Sequence, residues 1–114
     1  MANIYLNAKV DLTATTTTRL YTTPSDTRSI VKSILVSDDT NNGSTITVDL
    51  FSDDPASSPK FNLFKTKTVS GNSTIQLITE PLILMESEVL QVTAGDANRL
   101  HVVASILELN RNEQ

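Results

Sequence analysis

An all-β fold is predicted for this chain: a single antiparallel β-sandwich of about eight strands, with jelly-roll or Ig-like Greek-key connections. Three observations predict it. Threonine supplies sixteen of the 114 residues, and Thr, Val and Ile favour strands because a branched Cβ fits the pleated surface and loses rotamer freedom in a helix. Apolar residues recur at a spacing of two, as in "STITVDLF" at 44–51, and helical spacing is almost absent. Polar turn clusters break the β-forming runs at the short intervals typical of sandwiches and barrels.

The elements follow in order. Strands are expected at 4–11 ("IYLNAKVD"), 18–22 ("TRLYT"), 28–37 ("RSIVKSILVS") and 44–52 ("STITVDLFS"). Four more are expected at 60–67 ("KFNLFKTK"), 73–79 ("STIQLIT"), 88–94 ("EVLQVTA") and 99–109 ("RLHVVASILEL"). The "TATTTT" run at 13–18 reads as a loop or an edge strand. "TPSD" at 23–26 places a proline after an extended residue, followed by short side chains that bond their own backbone. "DDTNNGS" at 38–44 is the clearest hairpin signal, because Asn42-Gly43 suits the positive φ angles of a two-residue turn. "SDDPASSP" at 52–59 is a longer polar connection, "SGN" at 70–72 a tight one, and "AGDAN" at 94–98 is expected to close the last hairpin. Pro81 opens the apolar run "PLILMESEVLQV", where a missing N–H at the first residue of a strand does little harm, and Glu86-Ser87-Glu88 turns it. One domain spanning 1–114 is expected, with 110–114 ("NRNEQ") as a frayed tail. A chain of this length buries roughly 65% of its unfolded surface, which is enough for one core.

Composition narrows the function. The chain has no cysteine, which rules out disulfides and thiolate metal sites. A net charge of −4 argues against nucleic acid or an anionic membrane as partner. No stretch resembles a signal peptide or a membrane span, so synthesis in the cytoplasm in soluble form is expected. Aromatic residues make up only 4% of the chain, few for stacking on sugars or bases.

Candidate chemistry is sparse. His101 is the only histidine, so general-base catalysis would need it. Ser105 lies four residues further along the same strand, roughly 13 Å away, and Asp96 and Arg99 are its other polar neighbours. No nucleophile elbow or glycine-rich oxyanion loop accompanies them, so His101 reads as a strand histidine at a sheet edge or subunit contact. The carboxylate pairs Asp38-Asp39 and Asp53-Asp54 lack the spacing of a calcium loop and read as solvated turn acids. Lys60, Lys65 and Lys67, among Phe61 and Phe64, read as a solvated strand face. No catalytic residue, metal ligand or cofactor is expected, and the protein is not expected to be an enzyme.

Two strands are apolar on both sides. In the last, Leu100, Val102, Ala104 and Ile106 form one face, while Val103, Leu107 and Leu109 add apolar groups to the other. In "SIVKSILV", strict alternation sets Val31 and Leu35 opposite Ile30, Ile34 and Val36. In so short a chain, doubly apolar strands point to cover by another subunit. A homo-oligomer is expected, a trimer in the first instance. Val103, Leu107 and Leu109 are expected to carry self-association, together with Ile4, Leu6 and Val10 of an N-terminal segment that reaches a neighbour.

Several stretches together resemble small virion proteins of tailed bacteriophages, especially phages of marine bacteria and cyanobacteria. They are "NAKVDLT", the "LYTTP-D" turn, "SIVKSILVSDDT", "STITVDLF", "FNLFKTKTV" and "EPLILMESEVLQVTAGDANRLHVVASILEL", which cover nearly the whole chain. In that family the turn after the apolar triplet often reads Glu-Gly-Asp, and here Ser87 stands in place of the glycine. The resemblance implies a small β-sandwich or jelly-roll subunit of the virion, without an active site. Capsid decoration is the expected role, with the major capsid protein as partner. A neck, collar or tail accessory position is the alternative, and a carbohydrate-binding receptor tip a more distant one.

Overall fold

The computed structural model describes residues 3–52 and 60–110. Nine strands run in chain order: β1 (Asn3–Leu12), β2 (Thr18–Thr22), β3 (Thr27–Asp38), β4 (Ser44–Phe51), β5 (Lys60–Val69), β6 (Ser73–Gln76), β7 (Leu82–Leu84), β8 (Val89–Ala94) and β9 (Leu100–Asn110). Asp53-Asp54 and all but Ser52 of the 52–59 connection lie outside the described residues, as do residues 111–114 of the expected tail. Asn110 itself is paired, opposite Thr27.

Two antiparallel sheets stack on one another. The first has the order β1-β9-β3-β6, with β7 also on β3, and the second β2-β8-β4-β5. Consecutive strands mostly change sheet, and this order is that of a jelly roll, two Greek keys wrapped together. The expected fold class is therefore found, with one strand more than expected. The edge strand beyond β3 is split: β6 pairs with Leu35–Asp38 and β7 with Ser29–Val31. Between these two segments β3 is bulged at Lys32, and Pro81 can donate no ladder bond. Across the gap the Ile34 N–H donates to the Gln76 Oε1 at 3.1 Å, and the Leu77 N–H donates to the Ile34 carbonyl at 2.9 Å.

Two expected hairpins are not hairpins. The turn at 38–44 leaves the first sheet at β3 and enters the second at β4, and 94–98 crosses back from β8 to β9. Gly43 does take a positive φ, +73°. A favourable turn dipeptide sets local chain direction, and burial of the next strand decides which sheet it joins. Among described neighbours in sequence, only β4 and β5 pair directly in one sheet.

The interior is filled from both sheets. Leu12, Val31, Ile34, Val36, Leu100, Val102, Ala104 and Ile106 face Ile46, Val48, Leu90, Val92 and Ala94 in one buried cluster. Leu50, expected on the same face as Ile46 and Val48, packs against it while partly exposed. Bulges adjust the pleat where the period of two fails. A register shift between Arg19 and Tyr21 lets both Leu20 and Tyr21 turn inward. The bulge at Lys32 reverses the phase of β3, so Val31 faces inward with Ile34 and Val36, while Ile30 and Leu35 face outward. Strict alternation had set Val31 with Leu35, and the extra residue corrects that assignment.

The turns at one end of the sandwich are joined. The Thr23 N–H donates to the Glu88 carbonyl at 2.9 Å, the Ser87 N–H to the Thr23 carbonyl at 3.1 Å, and the Asp26 N–H to the Glu86 carboxylate at 3.0 Å. Ser87, at the position where the resembling family often has glycine, adopts φ +68°. A Cβ is strained there. Ser87→Gly is therefore expected to raise the unfolding free energy by about 0.5–1 kcal/mol, read as a higher midpoint in urea with an unchanged slope. A lower midpoint would show that the serine relieves its own strain.

Candidate interaction surface

The outer face of the first sheet is built from the odd-numbered residues of β1 and β9 and the outward residues of β3. Their register sets side chains in rows across the sheet. Asp11, His101 and Ser37 form one row, and Lys9, Val103 and Leu35 the next. Asn7, Ser105 and Ser33 follow, and then Tyr5, Leu107, Ile30 and Ile83. Two apolar rows thus flank a row of short polar side chains. The short row leaves a shallow hollow, lined by Tyr5, Asn7, Lys32 and Ser105 among others.

Exposure along these rows is large for apolar groups. Tyr5 is 74% and Ile83 61% exposed, and Leu35 and Val103 are exposed as well. Leu107, between Tyr5 and Ile30, is only 9% exposed. Isolated surface hydrophobes are ordinary, but one row continuous across four strands, with Val103 and Leu35 side by side in a second, is the arrangement that another protein surface covers.

The six residues expected to carry self-association do not share a face. Val103, Leu107 and Leu109 point outward from β9. Ile4, Leu6 and Val10 pair with Glu108, Ile106 and Val102 and so face the sandwich interior. Leu6 and Val10 pack against the core while partly exposed, and Ile4 is 50% exposed at the open end. β1 is the edge strand, which is why these inward groups remain partly uncovered.

His101 stands in the row nearest the 38–44 turn. Its Nδ1 lies 3.1 Å from Asp11 Oδ1 and its Nε2 3.2 Å from Asp39 Oδ2. A neutral imidazole has one N–H, so two carboxylates on opposite ring nitrogens are satisfied together only by the imidazolium. The pair spans β1, β9 and the end of β3, and all three side chains are exposed, so each contact contributes little. The acids sit on opposite sides of the ring and cannot share one ion. Among the described residues no three ligating side chains converge. Ser105 and Asp96 are not among the contacts of His101. Asp96 instead accepts from the Ser44 hydroxyl at 2.9 Å and pairs with Arg99 at 3.4 Å, and Arg99 donates to the Gly43 carbonyl at 2.8 Å. The cluster near the C-terminus therefore separates into an outer-face histidine and a loop clamp.

The acid pair at 38–39 also divides. Asp38 is buried, its Oδ1 accepting from the Thr40 N–H at 2.7 Å and the Thr40 hydroxyl at 2.6 Å, so it organises the turn from within. On the second sheet, Asn62 donates to the buried Asp49 at 2.6 Å, and Lys60 and Lys65 line a shallow depression beside them.

Another polar group joins the two sheets and had no signal in the sequence. The Tyr21 hydroxyl reaches across from β2, donates to the Glu108 carboxylate and accepts from the Ser29 hydroxyl at 2.6 Å. Burial, and then the neighbouring Glu108, raise the Tyr21 phenol well above the ordinary tyrosine range. Separations of 87 and 8 residues carry no local pattern that would predict it.

Comparison with known proteins bears on the fold. No family model matches the chain, and no curated protein matches it by sequence. Solved structures do. A chain of the acid-stable capsid of a Helicobacter pylori bacteriophage is similar with a TM-score of 0.58 at 16% identity, over 96% of this chain and 90% of that one. A chain of the infectious bursal disease virus particle has a TM-score of 0.60 at 9% identity, and the match covers 93% of this chain but only 30% of that one. A subunit of Bacillus endospore appendages, a family of disulfide-linked pili, has a TM-score of 0.54 at 13% identity, over 95% and 88%. At these identities the likeness is one of fold. The β-sandwich architecture is what this chain shares with those capsid and pilus subunits.

Proposed function

We propose that this protein is a non-enzymatic structural subunit of a bacteriophage virion, made in the host cytoplasm and folded as one domain. Its proposed place is the outer capsid, where it decorates and cements the shell. The observation that carries the reading is the pair of apolar rows across the outer face of the first sheet. Tyr5, Leu107, Ile30 and Ile83 form one, and Val103 and Leu35 belong to the other. A subunit repeated by symmetry gains avidity from many such contacts, each weak alone. The likeness to a phage capsid chain over nearly the full length of both supports the reading. So does the sequence resemblance to phage virion proteins.

Val103, Leu107 and Leu109 form the self-association face in this reading, and a trimer is the expected unit. The test is absolute mass by light scattering over a concentration series, with negative-stain images of the same samples. Particles of three times the 12.4 kDa chain mass, or assemblies of such trimers, are expected. Val103→Asp with Leu35→Asp, both at exposed positions, is expected to abolish the trimer while leaving the circular dichroism unchanged. Closed rings of six or twelve copies would move the protein to the neck or tail. A monomer at every concentration would overturn the self-association.

A further inference from the structure

The four sheet edges are not alike. β2 has five residues and a bulge. β5 is long, but its register breaks twice, Thr66 sits at φ +48°, and Lys60, Lys65 and Lys67 are exposed along it. β6 and β7 are short pieces of four and three residues. Bulges, lysines and interruptions are the devices that stop an edge from pairing with another chain. β1 has almost none of them. Its ten residues pair with β9 in unbroken register, and among the described residues β9 is its only partner strand. Its one lysine, Lys9, points outward from the sheet face rather than across the edge. A row of backbone donors and acceptors thus lies open along one side.

Such an edge is completed by a β-strand, and the composition of β1 selects a second copy of itself. We infer that β1 joins two copies of this chain by antiparallel pairing about a two-fold axis at Asn7. In that register Asn7 meets Asn7, Tyr5 meets Lys9 and Asn3 meets Asp11 on the outer face. Ile4 meets Val10 and Leu6 meets Ala8 on the inner face. No like charges oppose one another, and lysine falls beside an aromatic ring. A two-fold axis normal to the sheet keeps outer residues outside and inner residues inside, so the two sandwich interiors run together. Ile4, Leu6 and Val10, inward-facing yet partly exposed, gain the cover that an edge strand alone lacks. The contact runs along the β1 edge and shares only Tyr5 and Lys9 with the apolar rows on the outer face. It deepens the proposed self-assembly by linking copies, or trimers, two by two.

The test uses the full chain, which has no cysteine of its own. Asn7 is exposed, so Asn7→Cys is expected to fold. Under mild oxidation it is expected to form a disulfide dimer at least about ten-fold faster than Asn62→Cys, a control on the β5 edge, because pairing raises the local thiol concentration. Lys9→Cys alone stays slow, whereas Tyr5→Cys with Lys9→Cys links rapidly, which reads the register. Asn7→Lys, placing two ammonium groups face to face on the axis, is expected to separate paired copies, or paired trimers, into single ones, which halves the mass of the paired assembly in light scattering. Equal rates for Asn7→Cys and Asn62→Cys, with an unchanged mass for Asn7→Lys, would overturn the inference. If the native protein is nonetheless larger than a monomer, only the β1 contact falls. If it is a monomer throughout, the proposed self-association falls with it.

Discussion

Tyr21→Phe is expected to lower the unfolding free energy by about 2 kcal/mol at neutral pH. The ring stays and fills the same space, so the loss isolates the hydroxyl. Without it the Ser29 hydroxyl, fully buried, loses its acceptor, and the Glu108 carboxylate loses a donor at the mouth of the sandwich. Stranded polar groups cost more than the hydrogen bond itself returned. The same variant carries a signature in alkali. Burial raises the folded-state pKa of Tyr21 above its unfolded value, so the folded chain holds a proton that the unfolded chain releases above about pH 10. Stability from this source is complete below the unfolded value and is lost as pH rises toward the folded one. The difference between wild type and Tyr21→Phe should therefore shrink above about pH 10, by up to about 1.4 kcal/mol per pH unit. Urea titrations of both proteins at pH 8, 10 and 11 measure it, since every other titrating group is shared. A difference that stays constant with pH would show that the phenol ionises no later in the folded chain.

Gly71→Ala is expected to cost about 2–3 kcal/mol, although Gly71 sits in a surface turn. A Cβ there would lie 2.6 Å from both the carbonyl carbon and oxygen of Asn41 and 2.9 Å from the Thr40 carbonyl oxygen. All three are backbone atoms and cannot rotate away. The 70–72 turn lies directly on the 38–44 connection, with the Asn72 N–H donating to the Thr40 carbonyl at 2.7 Å and the Asn72 side chain to Asn41. Two crossings between the sheets, β3 to β4 and β5 to β6, are thereby locked to each other. Thermal unfolding of Gly71→Ala measures the cost. A loss below about 0.5 kcal/mol, the scale of an ordinary surface change, would show that the two turns separate freely.

These two sites differ in how far the sequence announces them. "SGN" reads as a tight turn on its own residues, and only its close approach to Asn41 needed the structure. Tyr21 gave no signal at all. It lies in a short strand whose bulge turns two successive residues inward, so period-two reasoning places it on the wrong side of Leu20. The outer face shows the same division. Val103, Leu107 and Leu109 are legible because β9 alternates without interruption, whereas Ile30 joins them only because the bulge at Lys32 shifts the phase of β3.

What the sequence by itself determined is local. Branched residues and an apolar period of two specify strands, polar clusters specify where they end, and the absence of cysteine excludes disulfide and thiolate chemistry. Only the tertiary structure decided which strands are neighbours. The 38–44 and 94–98 turns carry residues suited to hairpins and yet cross from one sheet to the other, because the apolar face of the following strand is buried by the sheet it joins. Pairing partners, the phase after a bulge and the three-way meeting of Tyr21, Ser29 and Glu108 all depend on residues far apart in the chain. Their energies exist only once the two sheets close over a common core.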